Sequence, residues 1–145
     1  MKDPINILIH GLDDNKQELE LIQRKFEKEN FTNFKLFNSV ESFINEFTCN
    51  VAMAIVDFVL SSGMNGLDIF KRIDEINPGC YKIMLSGFAS ADDVITFNRK
   101  GVDDFVNKNN GDYLQELVEI VRTKADLAEH RTYFYNKYKT EQNGV

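Results

Sequence analysis

The sequence predicts an α/β domain built on a five-stranded parallel sheet with helices on both faces. Three observations carry this prediction. Short apolar runs alternate five times with longer segments whose apolar residues recur at helical spacing, the signature of strand–helix repetition. The run Val51-Ala52-Met53-Ala54-Ile55-Val56 is apolar without interruption, as expected of a strand covered on both faces. That run ends abruptly at Asp57 and is followed by the turn-forming Ser61-Ser62-Gly63, so a carboxylate stands at the C-terminal end of the central strand. In open α/β sheets this is the edge where ligands bind.

The elements follow in order. Ile7-Leu8-Ile9, within Ile5 to Leu12, reads as the first strand, weakened toward its end by His10 and Gly11 and closed by the acidic pair Asp13-Asp14. From Asp14, Leu19, Ile22 and Phe26 recur among charged residues and predict an amphipathic helix to about Asn30, with Asp13 or Asp14 as its cap. Phe34-Lys35-Leu36-Phe37 is a short second strand. Ser39, Glu41 and Ser42 open a second helix bearing Val40, Phe43, Ile44 and Phe47. After the central strand, Leu67, Ile69, Phe70, Ile73 and Ile76 predict a third helix, stopped by Asn77-Pro78-Gly79. Tyr81 to Leu85 is a fourth strand ending at Ser86. A fourth helix runs from about Ser90 to Lys100 and stops at Gly101. Phe105-Val106 centres a fifth strand ending at Lys108, and a last helix carries Leu114, Leu117, Val118 and Val121.

The α/β domain is complete by residue 124, and residues 125–145 read as a C-terminal extension. Continuing the stripe through Ala125, Ala128, Thr132 and Tyr135 extends the last helix as a weak heptad, used for pairing or as a linker. A frayed polar tail is the other reading. Tyr133, Phe134, Tyr135 and Tyr138 favour the helix, since four such aromatics seldom all remain in water.

Composition narrows the function classes. A chain of 145 residues with 43% hydrophobic and 28% charged residues suffices for one domain with its own core. The net charge of −6 disfavours non-specific binding to nucleic acid or anionic membrane. Cys49 and Cys80 read as free thiols in a reducing compartment. The longest apolar runs fall well short of the roughly 18 residues a bilayer span needs, so a cytoplasmic location is expected. No DNA-binding helix pair or basic stripe is present.

If the strand order is the flavodoxin-like 2-1-3-4-5, Asp13, Asp14 and Asp57 converge on one pocket. Three clustered carboxylates repel one another, and each ionised partner raises the proton affinity of the next. A hard divalent cation such as Mg²⁺ neutralises such a set and keeps positions open for water and phosphate oxygens. Ser86 and Lys108, ending strands four and five, approach from the other side, so cation, ammonium and hydroxyl together form an anion site. This is equipment for phosphoryl transfer to a carboxylate, with Asp57 as nucleophile. Each residue alone has a plain structural reading as a cap or a solvated strand end; their joint placement at four strand ends carries the signal.

With these residues in place the chain resembles the CheY-like receiver domain of bacterial two-component response regulators, from about Ile5 to Arg122. The matching pieces are Asp13-Asp14, Asp57, Met64-Asn65-Gly66-Leu67, Ser86-Gly87 and Gly101-Val102-Asp103-Asp104-Phe105-Val106-Asn107-Lys108. The resemblance implies that Asp57 accepts a phosphoryl group from a phosphohistidine on a sensor histidine kinase or phosphotransfer protein. It implies Mg²⁺ held by Asp14 and Asp57 directly, by Asp13 partly through water, and by the main-chain carbonyl of Val59. Ser86 would then hydrogen-bond the phosphoryl group, Lys108 pair with it, and Phe105 swing inward as Ser86 moves. Such a domain catalyses its own modification but turns over no free substrate. Pairing between copies would use the fourth helix, fifth strand and fifth helix, or the C-terminal extension.

Three departures from the family pattern stand out. Asn109 replaces the usual proline after the lysine; a non-proline cis bond costs about 3–4 kcal/mol, so a trans bond is expected. His10-Gly11-Leu12 replaces an apolar lead into the acidic pair. The loop from Phe58 to Gly66 carries Ser61-Ser62 where proline is common and is one residue longer. Two other function classes share part of this pattern. A haloacid-dehalogenase-type phosphatase wants an acid two residues beyond the nucleophile, where this chain has Val59. A degenerate receiver would keep the fold as a phosphorylation-independent interaction module. His10 and His130 read as structural and surface residues, not phosphodonors.

Overall fold

The computed structural model of the protein describes residues 3–87 and 89–142. Five parallel strands, β1 (Ile9–Leu12), β2 (Phe34–Phe37), β3 (Met53–Asp57), β4 (Tyr81–Ser86) and β5 (Asp104–Asn107), form one sheet in the order β2-β1-β3-β4-β5. The helices are α1 (Lys16–Lys28), α2 (Val40–Glu46), α3 (Gly66–Asp74), α4 (Ala91–Arg99) and α5 (Tyr113–Gln142). The α/β class and the 2-1-3-4-5 order expected from the sequence are both found.

The continuous apolar run of the central strand has its cause in two cores. Alternate residues of a strand face opposite sides of a sheet. Met53 and Ile55 pack with Ile22 and Phe26 of α1 and with Leu117, Val118 and Val121 of α5. Ala54 and Val56 pack with Phe43 of α2, Ile69, Phe70 and Ile73 of α3, and Phe97 of α4. Phe26, Phe43, Phe70 and Phe97 are almost wholly withdrawn from water, each contributing roughly 1.5–3 kcal/mol by area removed.

Local signals differ from the sequence expectation at three places. β1 runs from Ile9 to Leu12 rather than over Ile7-Leu8-Ile9; Ile5 makes an isolated bridge with Phe31, while the Leu8 carbonyl accepts from Ala52 and Met53. His10 and Gly11 are interior to the strand, not its weak end. His10 packs its ring against Phe37, Phe43 and Phe47, and burial pushes its pKa down to about 4, so the imidazole is neutral. Gly11 lies under Leu36, whose Cδ2 would stand 2.7 Å from an added Cβ. Finally, α3 ends at Asp74, before Ile76, and its start is fixed by a capping box between Asn65 and Asp68.

Gly66, at the first position of α3, lies close against the end of β3. A Cβ there would meet Met84 Sδ at 2.5 Å and the Asp57 carbonyl at 3.0 Å, so any larger residue would have to displace Met84 and crowd the end of β3. The turn from Phe58 to Gly66 is tied by Gly66 N–H donating to the Phe58 carbonyl at 2.9 Å. No cis peptide occurs among the described residues, so the Lys108–Asn109 bond is trans, as expected.

α5 runs without a break through Gln142, 30 residues in all. Its buried positions are Leu117, Val118, Val121, Ala125, Ala128 and Thr132, and they face the protein's own sheet. Tyr133, Phe134 and Tyr138 are exposed, contrary to the expectation that these aromatics would leave water. The extension is held by specific polar contacts instead. Arg131 donates to both Asp103 carboxylate oxygens at 2.9 and 3.3 Å, and Asn77 Nδ2 donates to Thr132 Oγ1 and to the Val51 carbonyl, each at 3.0 Å. Asn136 Nδ2 reaches the Cys49 carbonyl at 3.1 Å. Gly79 permits this docking: an added Cβ would stand 2.6 Å from the Arg131 carbonyl oxygen. The last three residues of the 125–145 extension lie outside the described residues. Cys49 and Cys80 are both free thiols.

Candidate functional site

The C-terminal ends of β1, β3, β4 and β5 open onto a cavity of about 370 Å³ lined by Asp13, Asp14, Asp57, Val59, Ser86 and Lys108, with Asn15, Glu18, Gly87 and Asn109 completing its wall. The strands deliver these groups because they end there. Asp57 closes β3 and Ser86 closes β4, both buried. Lys108 follows β5 and continues its ladder, its N–H donating to the Ser86 carbonyl at 3.0 Å. Asp13 and Asp14 follow β1.

Capping chemistry at α1 separates the acidic pair from the helix. The cap is Asn15, not Asp13 or Asp14: its side chain accepts from the N–H groups of Gln17 at 3.0 Å and Glu18 at 3.2 Å. Asp13 accepts from Asn15 N–H through Oδ1 at 2.9 Å and turns Oδ2 to the Lys108 ammonium at 2.7 Å. Asp14 accepts from Ser61 N–H at 2.5 Å, which ties the loop after β3 to the loop after β1. Hydrogen bonding from the Ser61 side chain, and to a lesser extent from its N–H, holds the Asp14 carboxyl below its usual range.

Oxygen atoms of Asp13, Asp14 and Asp57 lie within 4.8 Å of one another. Lys108 is the cation among them, 2.7 Å from Asp13 and 3.0 Å from Asp57. Burial raises the pKa of Asp57 to about 6; Lys108 opposes the rise, and the charges of Asp13 and Asp14 add to it. For Lys108, burial favours the neutral amine, but its bonds to Asp13 and the charge of Asp57 outweigh it, and its pKa is raised. Asp57 is therefore an anion held in place against its own desolvation.

The donor set fits a hard divalent cation. Three carboxylates converge, and the Val59 carbonyl accepts no hydrogen bond among the described residues, because the bridge between Val59 and Asn65 is closed through Phe58 and Gly66 instead. The Val59 side chain is 57% exposed beside Asp57. Phe105 is half-buried on β5, with its ring 5.6 Å from Phe97, which in turn meets Phe58 at 4.9 Å.

All five side chains singled out from the sequence for the site thus line one cavity, with Val59 beside them. The sequence reading missed Asn15, Glu18 and Asn109. Asn15 carried a usable signal, since Asn is among the strongest N-cap residues and here directly precedes the helix. Asn109 carried none: its amide donates to the Gly87 carbonyl, a contact across 22 residues.

Comparison with known proteins agrees with this geometry. Residues 9–122 match the response regulator receiver domain family. The regulatory protein VanR of Enterococcus faecium is 30% identical over 142 residues, covering 97% of this chain; the chain spans 57% of that relative's length. A CheY-like response regulator receiver domain protein from Methanospirillum hungatei superposes with a TM-score of 0.71 at 23% identity, covering 88% of this chain and 98% of that one. The response regulator DrrB of Thermotoga maritima, an OmpR/PhoB homologue, gives a TM-score of 0.70 at 23% identity, covering 86% of this chain and 54% of that one. At such identities these two structures establish the fold. A family match across most of the chain, on a site with this order of residues, establishes more: the protein belongs to the response regulator receiver domains of two-component systems.

Proposed function

We propose that this domain accepts a phosphoryl group on Asp57 from the phosphohistidine of a sensor histidine kinase or phosphotransfer protein, and that the modification switches a protein-interaction surface. The single observation that carries the reading is the Asp57 carboxylate, buried at the end of β3 and kept ionised by Lys108 at 3.0 Å. An Asp57 oxygen forms the new bond to phosphorus as the phosphorus–nitrogen bond of the donor imidazole breaks, and that imidazole keeps the electron pair and takes up a proton. Asp57 is positioned for this without rearrangement of its backbone, which is fixed by the β3–β4 ladder and by Phe58 N–H donating to the Leu85 carbonyl at 2.8 Å.

Asp13, Asp14, Asp57 and the Val59 carbonyl would hold Mg²⁺, whose charge would offset that of the incoming phosphoryl oxygens. The remaining work falls to the chain's own groups. Lys108 would exchange its contact with Asp57 for the phosphoryl oxygens, because the new dianionic group outcompetes a single carboxylate for the ammonium. The Ser86 hydroxyl, on the neighbouring strand, would donate to the same group. Phe105, packed on Phe97 and only half-buried, would move inward as Ser86 is drawn toward the site, changing the β4–β5–α4 surface. Under this reading the domain works in the cytoplasm.

Intact mass after incubation with acetyl phosphate and Mg²⁺ tests the reading. The expected result is an acid-stable, base-labile adduct with the mass of one phosphoryl group on the wild type and none on Asp57→Asn. A folded wild type without the adduct, or an adduct that persists in Asp57→Asn, rejects it. Val59 adds a kinetic expectation. An apolar side chain over the site offers no group to orient water, so the adduct is expected to last minutes or longer, and decay within seconds would contradict this.

A further inference from the structure

Asn109 stands where the family pattern has a proline, and its side chain does something that a proline ring cannot. The ladder between β4 and β5 pairs Ser86 with Asn107 and is carried one rung further by Lys108 N–H, which donates to the Ser86 carbonyl at 3.0 Å. Beyond that rung the main chain turns toward α5, with Asn110 N–H donating to the Asn107 carbonyl at 3.1 Å. A side chain then supplies the next link: Asn109 Nδ2 donates to the carbonyl of Gly87, the residue after Ser86. Asn109 is itself anchored, because its N–H donates to Asn107 Oδ1 at 2.8 Å. Proline has neither of these donors. The amide lies flat along Gly87, where an added Cβ would stand 3.5 Å from Asn109 Oδ1 and 3.6 Å from Nδ2.

These bonds join two groups of the site. Two successive carbonyls, those of Ser86 and Gly87, are held by two successive residues, Lys108 and Asn109. The residue that carries the hydroxyl and the residue that carries the ammonium are thereby tied into one body, where a single rung at the end of a ladder would let them part. Gly87 and Asn109 line the cavity beside Ser86 and Lys108, whereas the carboxylates come from the ends of β1 and β3. A phosphoryl group on Asp57 would engage Ser86 and Lys108 together. Two donors in fixed relation lose less freedom on binding it than two that move separately. We infer that Asn109 is a positioning residue: its amide, bonded to the Gly87 carbonyl, holds Ser86 in place relative to Lys108 for joint capture of the phosphoryl group. It acts through Ser86 and not by contact with the reacting atoms. The inference rests on the reading of Asp57 as the phosphoacceptor.

Titration of the full chain with beryllofluoride at saturating Mg²⁺ tests it, since that anion binds a carboxylate as a tetrahedral substitute for a phosphoryl group. Asn109→Ala and Asn109→Leu, the second close to asparagine in size but without a donor, are each expected to weaken beryllofluoride binding about three- to tenfold, the worth of one hydrogen bond. Affinity for Mg²⁺ alone is expected to stay unchanged, because the carboxylates stand on other strands. In a Ser86→Ala background the same substitutions are expected to have no further effect, since the hydroxyl they would misplace is gone. Equal weakening in both backgrounds, or a matching loss of Mg²⁺ affinity, would show a general loosening of the turn and overturns the inference. So does an Asn109→Ala variant that binds beryllofluoride as tightly as the wild type. A wild type that binds no beryllofluoride rejects the reading of Asp57 itself and this inference with it, and the wild-type titration alone sets that outcome apart from the others.

Discussion

The two ends of the same sheet solve the problem of buried polar groups in opposite ways. At the N-terminal ends of the strands nearly every group has its own partner. Arg131 meets Asp103, buried Lys82 meets Asp74 at 2.7 Å, and Asn77, fully buried, donates to Val51 and Thr132 while accepting from Gly79 N–H. At the C-terminal ends three carboxylates are gathered around one ammonium. The first arrangement pairs its charges one to one and stabilises the fold; the second carries excess negative charge and a raised proton affinity at Asp57. Balanced charge marks the end built for stability, and unbalanced charge marks the end that waits for a ligand.

The sharpest way to break this contrast is at Asn77. Asn77→Ala strips two acceptors and one donor of their partner inside the protein and undocks Thr132, and is expected to cost about 2–4 kcal/mol in chemical denaturation at pH 7. A loss below about 1 kcal/mol would mean that this end is not where the stability resides.

Asp57→Asn is expected to do the reverse. The folded Asp57 carboxyl sits near 6 against an ordinary value of 3.8, so between those values the folded chain holds a proton that the unfolded chain has released. Stability therefore falls as pH rises from about 4 to 6 and levels off above. The variant, which has no such titration, should gain about 1–3 kcal/mol over the wild type at pH 7 and show no advantage below about pH 4. An equal difference at both pH values would show that charge is not its cause.

Mg²⁺ sharpens the comparison further. At ten times its dissociation constant it should stabilise the wild type by about 1.4 kcal/mol, seen as a rise in thermal midpoint, and stabilise Asp57→Asn much less. Equal shifts in both proteins would locate the ion elsewhere. The smallest effect is expected at Arg131→Gln. Its ion pair with Asp103 is partly exposed and so screened by solvent, and its loss should cost about 0.5–1 kcal/mol, read from the denaturation midpoint. The adduct on Asp57 should form as before in that variant.

The site was more readable in the sequence than the docking of α5, for a physical reason. Asp57, Ser86 and Lys108 end strands that announce themselves by apolar runs, and a residue at the C-terminal end of a parallel strand needs no further information to be assigned to the ligand edge. The docking of the extension depends on single contacts between segments far apart in the chain, such as Asn77 with Thr132 and Asn136 with Cys49. No local pattern marks these. The aromatics of the extension were misjudged for the same reason: hydrophobic character is visible in a residue, but the face it occupies is set by what the opposite face is tied to.

Local periodicity and punctuation in the sequence were enough to determine five strands, five helices, their parallel arrangement and the company of Asp13, Asp14, Asp57, Ser86 and Lys108. These features rest on neighbouring residues acting together, so they are written contiguously. The tertiary structure alone decided that Asn15 caps α1 and leaves Asp13 to Lys108, that Asp14 ties to Ser61, and that Leu127 and Phe134 look outward. Each is a choice among several chemically equivalent partners. Only packing, which brings Asp13 and Lys108, 95 positions apart, to hydrogen-bond distance, makes that choice.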